Sequence, residues 1–272
     1  MTGVQTCALP IFDELSPFLP AEKRVGKRGG RPRIPHRTVV KVIWFVLVTG
    51  CRWEDVPLEL GCSGRTAHRR LQRWYARGIW ERLHLHFLTV LRKAGVLEAE
   101  LAVIDSVLVR AFGGGDATGP SPVDRRKLGS KHTLLVDANG VPLVIQTAPA
   151  NASDYKLILP VVADFPEIGG KPGRPRKHPD VIYADRGYDS EAIRQSLRSQ
   201  GIRPVIARRG IDHGSSLGKI RWVVERTISW FKGLRRLRIR YDRSDDVQDA
   251  WNRLAASILC YRVAIRWGIC PG

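Results

Sequence analysis

Three acidic residues lie within or beside apolar segments of the chain. Asp105 lies inside the apolar stretch AVIDSVLV, Asp185 ends the stretch VIYAD, and Glu225 lies in RWVVERTISWFKGL. A carboxylate inside an apolar strand is costly unless something compensates its charge, and a metal ion does so. The carboxyl ends of strands in α/β sheets are also where binding sites are built. We therefore treat the three residues as candidate metal ligands.

Each of the three also has an ordinary structural explanation. A turn or an ion pair with Arg110 would account for Asp105, and an exposed ion pair with Arg221 would account for Glu225. A turn before glycine would account for Asp185, although Asp189 suits the role of a helix cap better. The intervals of 80 residues (185 − 105) and 40 residues (225 − 185) favour the metal site, because two strands and a following helix can bring the carboxylates together above one sheet.

Three converging carboxylates predict a specific chemistry. Such a set binds two divalent ions about 3.5–4 Å apart, and oxygen ligands suit Mg²⁺ or Mn²⁺. One ion activates water or a 3′-hydroxyl, and the other stabilises the leaving oxygen of an in-line phosphodiester displacement. The predicted reaction is metal-dependent cleavage and joining of nucleic acid strands.

Two basic residues share the helix face of Glu225. Arg221 precedes it by four residues and Lys232 follows it by seven, and both steps return to the same side of a helix. Lys232 is expected to contact a phosphate near the cut, whereas Arg221 either holds the glutamate or binds DNA. Trp222 and Trp230 fall on a different face of the helix. A tryptophan in such a place stacks on a flipped base or, more commonly, packs in a core or an interface.

The elements that must position these residues form two regions. From about Glu98 the order is strand, hairpin around Asn139-Gly140, helix, strand, helix, strand and further helices, which predicts an α/β mixed sheet with flanking helices over residues 98–272. Residues 13–97 predict a small all-α domain that contains a basic linker. The first twelve residues carry no charge and no clear period, and are expected to be non-native or disordered.

An arginine stripe distinguishes the helical region. Arg65, Arg69, Arg73 and Arg77 recur every fourth residue and share one face of a predicted helix. Short helices around a turn with such a stripe fit a helix-turn-helix-like DNA-binding module. A helical bundle with a solvated arginine face is the alternative.

Two Gly-Arg-Pro-Arg segments add further candidate DNA contacts. The first contains Arg31 and Arg33, and the second contains Arg174 and Arg176. Extended arginines beside glycine and proline enter minor grooves, but non-specific phosphate binding is the simpler expectation.

Composition supports a polyanionic partner. The 272-residue chain is 43% hydrophobic and carries a formal net charge of +19, which on a folded chain indicates nucleic acid. Membrane-surface binding is the rival, but basic residues are spread over the whole chain and no apolar run is long enough to span a bilayer. We expect a cytoplasmic, nucleoid-associated protein.

Several segments resemble the DDE transposases of bacterial insertion sequences, in particular the group named after insertion sequence five. IDSVLVRA resembles the first catalytic strand, YADRGYDS the second catalytic Asp, and RWVVERTISWFKGLRRLRIRYDR the third motif. In that third motif, Arg, Glu and Lys of the group correspond to Arg221, Glu225 and Lys232. RTVVKVIWFVLVTGCRWEDVPLELG resembles the N-terminal DNA-binding segment. The similarity runs from about Pro17 to near the C-terminus, but Gly218 stands where similar proteins have tyrosine.

This resemblance implies a ribonuclease-H-like catalytic fold and a transposase. Such a protein binds the terminal inverted repeats of its element and uses Mg²⁺ or Mn²⁺, as two ions, to cut DNA and transfer strands into a target. Its partners are double-stranded DNA and further copies of itself on that DNA, and Arg235 and Arg236 join the expected DNA contacts. A catalytically inactive DNA-binding remnant or regulator and a different ribonuclease-H-like nuclease are the alternatives.

Overall fold

The computed structural model describes residues 9–22, 32–208 and 218–271. Its N-terminal part is helical, as predicted, and contains α1 (Leu9–Leu15), α2 (His36–Thr49), α3 (Gly64–Tyr75) and α4 (Ile79–Lys93). Gly50 ends α2 with φ 71°, a left-handed conformation that suits glycine. The Ser63 side chain accepts the Thr66 N–H and so caps the start of α3.

The first residues of the described chain belong to the fold. Residues 9–12 lie in α1, and Ile11 is only 3% exposed. The expectation that the first dozen residues stand outside the fold is therefore wrong for residues 9–12, because an uncharged segment can pack an apolar face against α2. Residues 1–8 lie outside the described residues.

The second part of the chain forms a seven-stranded sheet with helices. The strands are β1 (Leu101–Ala111), β2 (Gly119–Pro120), β3 (Leu128–Asp137), β4 (Pro142–Pro149), β5 (Val181–Ala184), β6 (Arg203–Ile206) and β7 (Ile239–Arg240). The helices are α5 (Asp154–Ala163), α6 (Glu191–Ser199), α7 (Gly218–Gly233) and α8 (Asp245–Arg266).

The strand order confirms the predicted mixed α/β sheet. Along one path the order is β4, β3, β1, β5 and β6, with antiparallel pairs from β4 to β1 and parallel pairs from β1 to β6. This arrangement agrees with the ribonuclease-H-like fold that the resemblance implies. The short strand β7, which the sequence does not predict, pairs with the end of β1.

A break in the sheet lies beside β1. On the side of β1 away from β3, β5 pairs with residues 101–103 and β7 pairs with residues 110–111. Between these pairings, residues 104–109 of β1 have no strand beside them among the described residues. Asp105 lies in this interval, close to helix α7, which packs on β1.

The helical part and the sheet share one hydrophobic core. Its buried apolar residues extend from Ile11 to Ala264 in a single cluster. Helix α8 packs against α3, α4 and β4, and Trp251 of α8 stacks on Trp53 with ring centroids 5.5 Å apart. The division into a helical domain and a catalytic domain stays a prediction. No helix among the described residues is long and apolar enough to cross a membrane.

Candidate active site

The three candidate carboxylates converge on one guanidinium group. Nη2 of Arg221 lies 3.4 Å from Asp105 Oδ2, 3.9 Å from Asp185 Oδ2 and 3.8 Å from Glu225 Oε1. Residues separated by up to 120 positions (225 − 105) thus meet around one nitrogen atom. The structure therefore brings together four of the five residues that the sequence proposed as catalytic.

The fold explains this convergence. The last parallel pair of β1 and β5 joins Val103 to Tyr183, and Asp105 and Asp185 each follow two residues later, so both stand at the same level of the sheet. Helix α7 packs on β1 and β5 and carries Arg221 and Glu225 one turn apart. The site forms where β5 ends and the sheet opens.

Burial decreases across the cluster. The side chains of Asp105, Asp185 and Glu225 are 19%, 31% and 61% exposed, so the site opens to solvent on the Glu225 side. Burial raises the pKa of Asp105, and the charge of Asp185 raises it further, while the Ser106 backbone N–H and Arg221 oppose this shift. A cation is needed to keep so buried a carboxylate charged beside a second one.

Asp185 is held by the turn that follows it. Its Oδ1 accepts the Gly187 backbone N–H at 2.8 Å, so it is both a candidate ligand and the cap of a short 3₁₀ turn, Arg186–Tyr188. A Cβ atom at Gly187 would lie 2.9 Å from Asp185 Oδ1 and 3.2 Å from Asp154 Oδ2. A side chain at position 187 would therefore press on the carboxylate that the turn passes.

The donor set suits a hard divalent cation. The three ligand candidates supply only carboxylate oxygens, which Mg²⁺ and Mn²⁺ prefer. Within the described residues, no three His, Cys, Asp or Glu side chains stand at metal-ligand spacing as they are placed. Arg221 Nη2 lies between the carboxylates, 3.4 to 3.9 Å from each. The donor types suit a divalent metal ion, and Arg221 offsets part of their charge.

Lys232 lies on the same helix but is not part of this cluster. Its side chain is half-buried two turns after Glu225, and it pairs with no carboxylate among the described residues. A cationic group beside the site without a carboxylate partner is suited to a phosphate.

Sequence reasoning missed a hydroxyl pair beside the carboxylates. Tyr188 is 1% exposed, and its hydroxyl lies 2.7 Å from Ser106 Oγ. Ser106 Oγ also lies 2.9 Å from Thr133 Oγ1 on β3. The two partners Ser106 and Tyr188 are 82 residues apart, so no local pattern announces them.

Asp189 and Asp154 both pair with buried basic residues. Asp189 does not cap α6 as predicted, because the N-cap is Ser190; it pairs with the buried Arg194 at 2.7 Å. Asp154 begins α5 and pairs with the buried Lys131 at 2.7 Å. Buried arginine and lysine need such partners, and this need decides the placement of both aspartates.

Two of the predicted DNA contacts are structural. Arg236 is 4% exposed, pairs with Asp242 at 2.9 Å and donates to the Cys51 carbonyl, so its prediction as a DNA contact is wrong. The Arg176 guanidinium is engaged by Asp180 at 2.8 Å and Glu100 at 3.3 Å. Arg33, Arg174 and Arg235 are exposed, whereas Arg31 lies outside the described residues.

The predicted arginine stripe is exposed, and three of its four members line a groove. Arg65, Arg69, Arg73 and Arg77 are exposed, and Ala67, Leu71 and Trp74 of the same region are buried. A groove of about 730 Å³ is lined by Arg33, Arg69, Arg70, Arg73 and Arg77. Among its described lining residues the one acid is Glu22, whose carboxylate accepts the His36 backbone N–H at 2.6 Å.

Arg70 is a member of this groove that the stripe pattern did not include. It lies 3.1 Å from Nδ1 of the buried His36, whose Nε2 lies 2.8 Å from the Pro20 carbonyl. Burial, with the charges of Arg33 and Arg73, lowers the pKa of Arg70. The groove therefore concentrates positive charge that an anion would relieve.

The two tryptophans of α7 flank an arginine. Arg226 lies over both rings, 4.5 Å from the centroid of Trp222 and 4.7 Å from that of Trp230. Trp222 is 50% exposed and Trp230 is partly buried. Trp222 is therefore not a core residue, and its ring packs on Arg226 at the surface; an interface role and base stacking stay predictions.

Comparison with known families matches two regions of the chain. Residues 97–260 match the family described as "Transposase DDE domain", and residues 11–84 match "Putative transposase of IS4/5 family". The first region spans 164 residues (260 − 97 + 1) of 272 and contains Asp105, Asp185 and Glu225.

Individual proteins show the same likeness. The "Putative transposase for insertion sequence element IS402" of Burkholderia cepacia is 48% identical over 153 residues, which cover 56% of this chain and 72% of that protein. The transposase for insertion sequence element IS1106 of Neisseria meningitidis serogroup B is 25% identical over 182 residues, which cover 55% and 58%. The crystal structure of the catalytic domain of Mos1 mariner transposase has a TM-score of 0.35 at 10% identity, over 74% of this chain and 91% of that one. By the match to the first family over more than half its length, this chain belongs to the DDE transposase family.

Proposed function

We propose that this protein is the transposase of an insertion sequence and that Asp105, Asp185 and Glu225 are its catalytic carboxylates. The observation that carries the proposal is the approach of all three carboxylates to within 4 Å of one Arg221 nitrogen. Family membership gives the reaction class, metal-dependent DNA cleavage and strand transfer. The geometry supports the choice of residues.

The three carboxylates are the groups that would hold Mg²⁺ or Mn²⁺, as two ions. When bound, the ions stabilise the attacking and leaving oxygens of the phosphodiester displacement. Asp105 and Asp185 provide the buried side of the site, and Glu225 provides its open side, where DNA has access.

Arg221 has a charge-balancing role in this proposal. Without divalent ions, three carboxylates so close together would repel one another and the DNA backbone. The Arg221 guanidinium offsets that charge, and its 30% exposure leaves it within reach of solvent and of a phosphate. Lys232, which has no carboxylate partner among the described residues, contacts a backbone phosphate near the scissile bond.

The helical part binds the element ends. The supporting observation is the groove lined by Arg33, Arg69, Arg70, Arg73 and Arg77, since clustered guanidinium groups without neutralising acids bind backbone phosphates. Arg65, Arg174 and Arg235 are further exposed contacts, and Arg31 joins them from the adjoining linker. Copies of the chain assemble on the element ends as a homodimer or a larger oligomer, in the cytoplasm on nucleoid DNA.

Strand transfer separates this proposal from the alternative of an inactive DNA-binding remnant. The protein is incubated in Mg²⁺ with DNA that carries the inverted repeats flanking its gene, together with a target plasmid, and joined products are sequenced. We expect end-to-target junctions from the wild type and none from Asp105→Asn. DNA binding without any cleavage or junctions in Mg²⁺ or Mn²⁺ would support the remnant.

A further inference from the structure

The two strands that carry the proposed metal ligands lose their backbone pairing just before those ligands. β1 and β5 pair in parallel up to Val103 and Tyr183. Asp105 and Asp185 lie two residues beyond this pair, at the break in the sheet. There β1 and β5 no longer pair with each other in the described residues. Strand pairing therefore sets the level of the two carboxylates in the sheet but ends before it reaches them.

A side-chain bridge spans this gap. The Tyr188 hydroxyl lies 2.7 Å from Ser106 Oγ, and Ser106 is the neighbour of Asp105 on β1. On the other side, Tyr188 belongs to the turn capped by Asp185, and its backbone N–H donates to the Asp185 carbonyl at 3.2 Å. One hydrogen bond thus links the segments of both aspartates.

The bridge is anchored at Ser106 and buried at Tyr188. Ser106 Oγ also contacts Thr133 Oγ1 at 2.9 Å, on the strand opposite Ser106 in the antiparallel pair of β1 and β3. Tyr188 is 1% exposed, and burial raises the pKa of its hydroxyl, so the group stays neutral. A buried hydroxyl that loses its partner keeps the full cost of desolvation. The Tyr188–Ser106 bond is therefore persistent.

We infer that the Tyr188–Ser106 hydrogen bond positions the metal site by fixing the separation of Asp105 and Asp185 across the break in the sheet. Neither residue touches an ion or the DNA; both act through the adjacent carboxylates. The inference rests on the proposed function, because the separation matters only if both carboxylates bind the same metal centre.

The test measures metal affinity of the full chain, without DNA. Tyr188→Phe removes the hydroxyl and keeps the ring, and Ser106→Ala removes the other partner. We expect each change to weaken Mn²⁺ binding, followed by the electron paramagnetic resonance signal of free Mn²⁺, by about tenfold, as for other groups that orient metal ligands. The double variant should lose no more than the weaker-binding single variant, because both changes break one bond.

Tyr261→Phe is the matched control. Tyr261 is 5% exposed and donates from its hydroxyl to the Pro271 carbonyl at 2.7 Å, so it loses a comparable bond away from the carboxylates. Its Mn²⁺ affinity should equal that of the wild type. Thermal unfolding of all variants separates a loss of stability from a loss of metal binding.

Several outcomes would overturn the inference. If Tyr188→Phe and Ser106→Ala bind Mn²⁺ with wild-type affinity, the bond is merely structural. This holds whether or not the unfolding temperature falls. Additive losses in the double variant show that the two residues act separately. Asp105→Asn, measured in the same way, separates failure of the proposed metal site from failure of the positioning role. If Asp105→Asn keeps wild-type Mn²⁺ affinity, the proposed metal site itself is wrong. If it loses binding and Tyr188→Phe does not, only the positioning role is wrong.

Discussion

The carboxylate cluster and the arginine groove are both strongly charged, but they are built in opposite ways. The cluster gathers Asp105, Asp185 and Glu225 from two strands and a helix and places Arg221 between them. The groove takes most of its arginines from α3 and its immediate end, and its one described acid already accepts a backbone N–H. The first region offsets part of its charge internally, whereas the second leaves its charge for a partner.

This difference separates two tasks. A metal centre, the role proposed for the cluster, needs ligands fixed in space. Long-range contacts, a capped turn and a hydroxyl bridge surround its three carboxylates. A phosphate-binding groove needs density of charge more than exact position, and one helix with a four-residue period supplies it. Changes in the cluster should therefore abolish DNA cleavage and spare DNA binding. Changes in the groove should weaken DNA binding and leave the carboxylate cluster intact.

The largest effect short of removing a ligand is expected at Gly187. An alanine Cβ there would press on Asp185 Oδ1 from 2.9 Å, so Gly187→Ala should displace the carboxylate. We expect cleavage of end-containing DNA to fall by about 100-fold, the scale of a small misplacement in an active site. DNA affinity should not change. Gly233→Ala, where a Cβ meets nothing within 4 Å, should cleave normally, and a fully active Gly187→Ala would refute the tight fit.

A smaller effect, on binding instead of chemistry, is expected in the groove. Replacing Arg69 and Arg73 by Ala should weaken binding to the element ends and flatten its salt dependence, by about one unit of slope for each phosphate that is no longer neutralised. Arg203→Ala, an exposed arginine on β6, is the control. Unchanged affinity and slope in a folded double variant would show that the stripe is only a solvated face.

The smallest effect concerns pH. Burial raises the pKa of Asp105, so this carboxylate takes up a proton at a higher pH than an exposed aspartate does. Protonation removes a metal ligand, so cleavage should decline on acidification before DNA binding declines, because arginines keep their charge. More Mn²⁺ should restore cleavage by competing with the proton. A parallel loss of cleavage and DNA binding would argue against separate regions.

The sequence predicted which carboxylates meet better than it predicted what supports them. Asp105 was visible inside an apolar strand, Asp185 at the end of one, and Glu225 through its helical steps to Arg221 and Lys232. The mixed sheet with flanking helices followed from the element order. The break in the sheet did not, because it depends on β7, a strand of two residues with no periodicity to detect.

Side-chain partners explain the remaining errors. Arg236 and Arg235 look alike in sequence, but only Arg236 folds back onto Asp242 and becomes buried. Arg70 lies outside the four-residue stripe and enters the groove through His36, 34 residues earlier. Tyr188 and Ser106 likewise meet across 82 residues. Such contacts are set by tertiary packing, which local patterns do not encode.

Mn²⁺ binding to the triad variants tests the central claim most directly. Asp105→Asn, Asp185→Asn and Glu225→Gln keep shape and remove one charge each, and Asp180→Asn, whose side chain is 56% exposed, is the control. Free Mn²⁺ is measured by electron paramagnetic resonance during titration of each protein. The account predicts that each of the three loses most Mn²⁺ binding while Asp180→Asn and the wild type bind alike. Wild-type Mn²⁺ affinity in any of the three would contradict the assignment of that residue as a metal ligand.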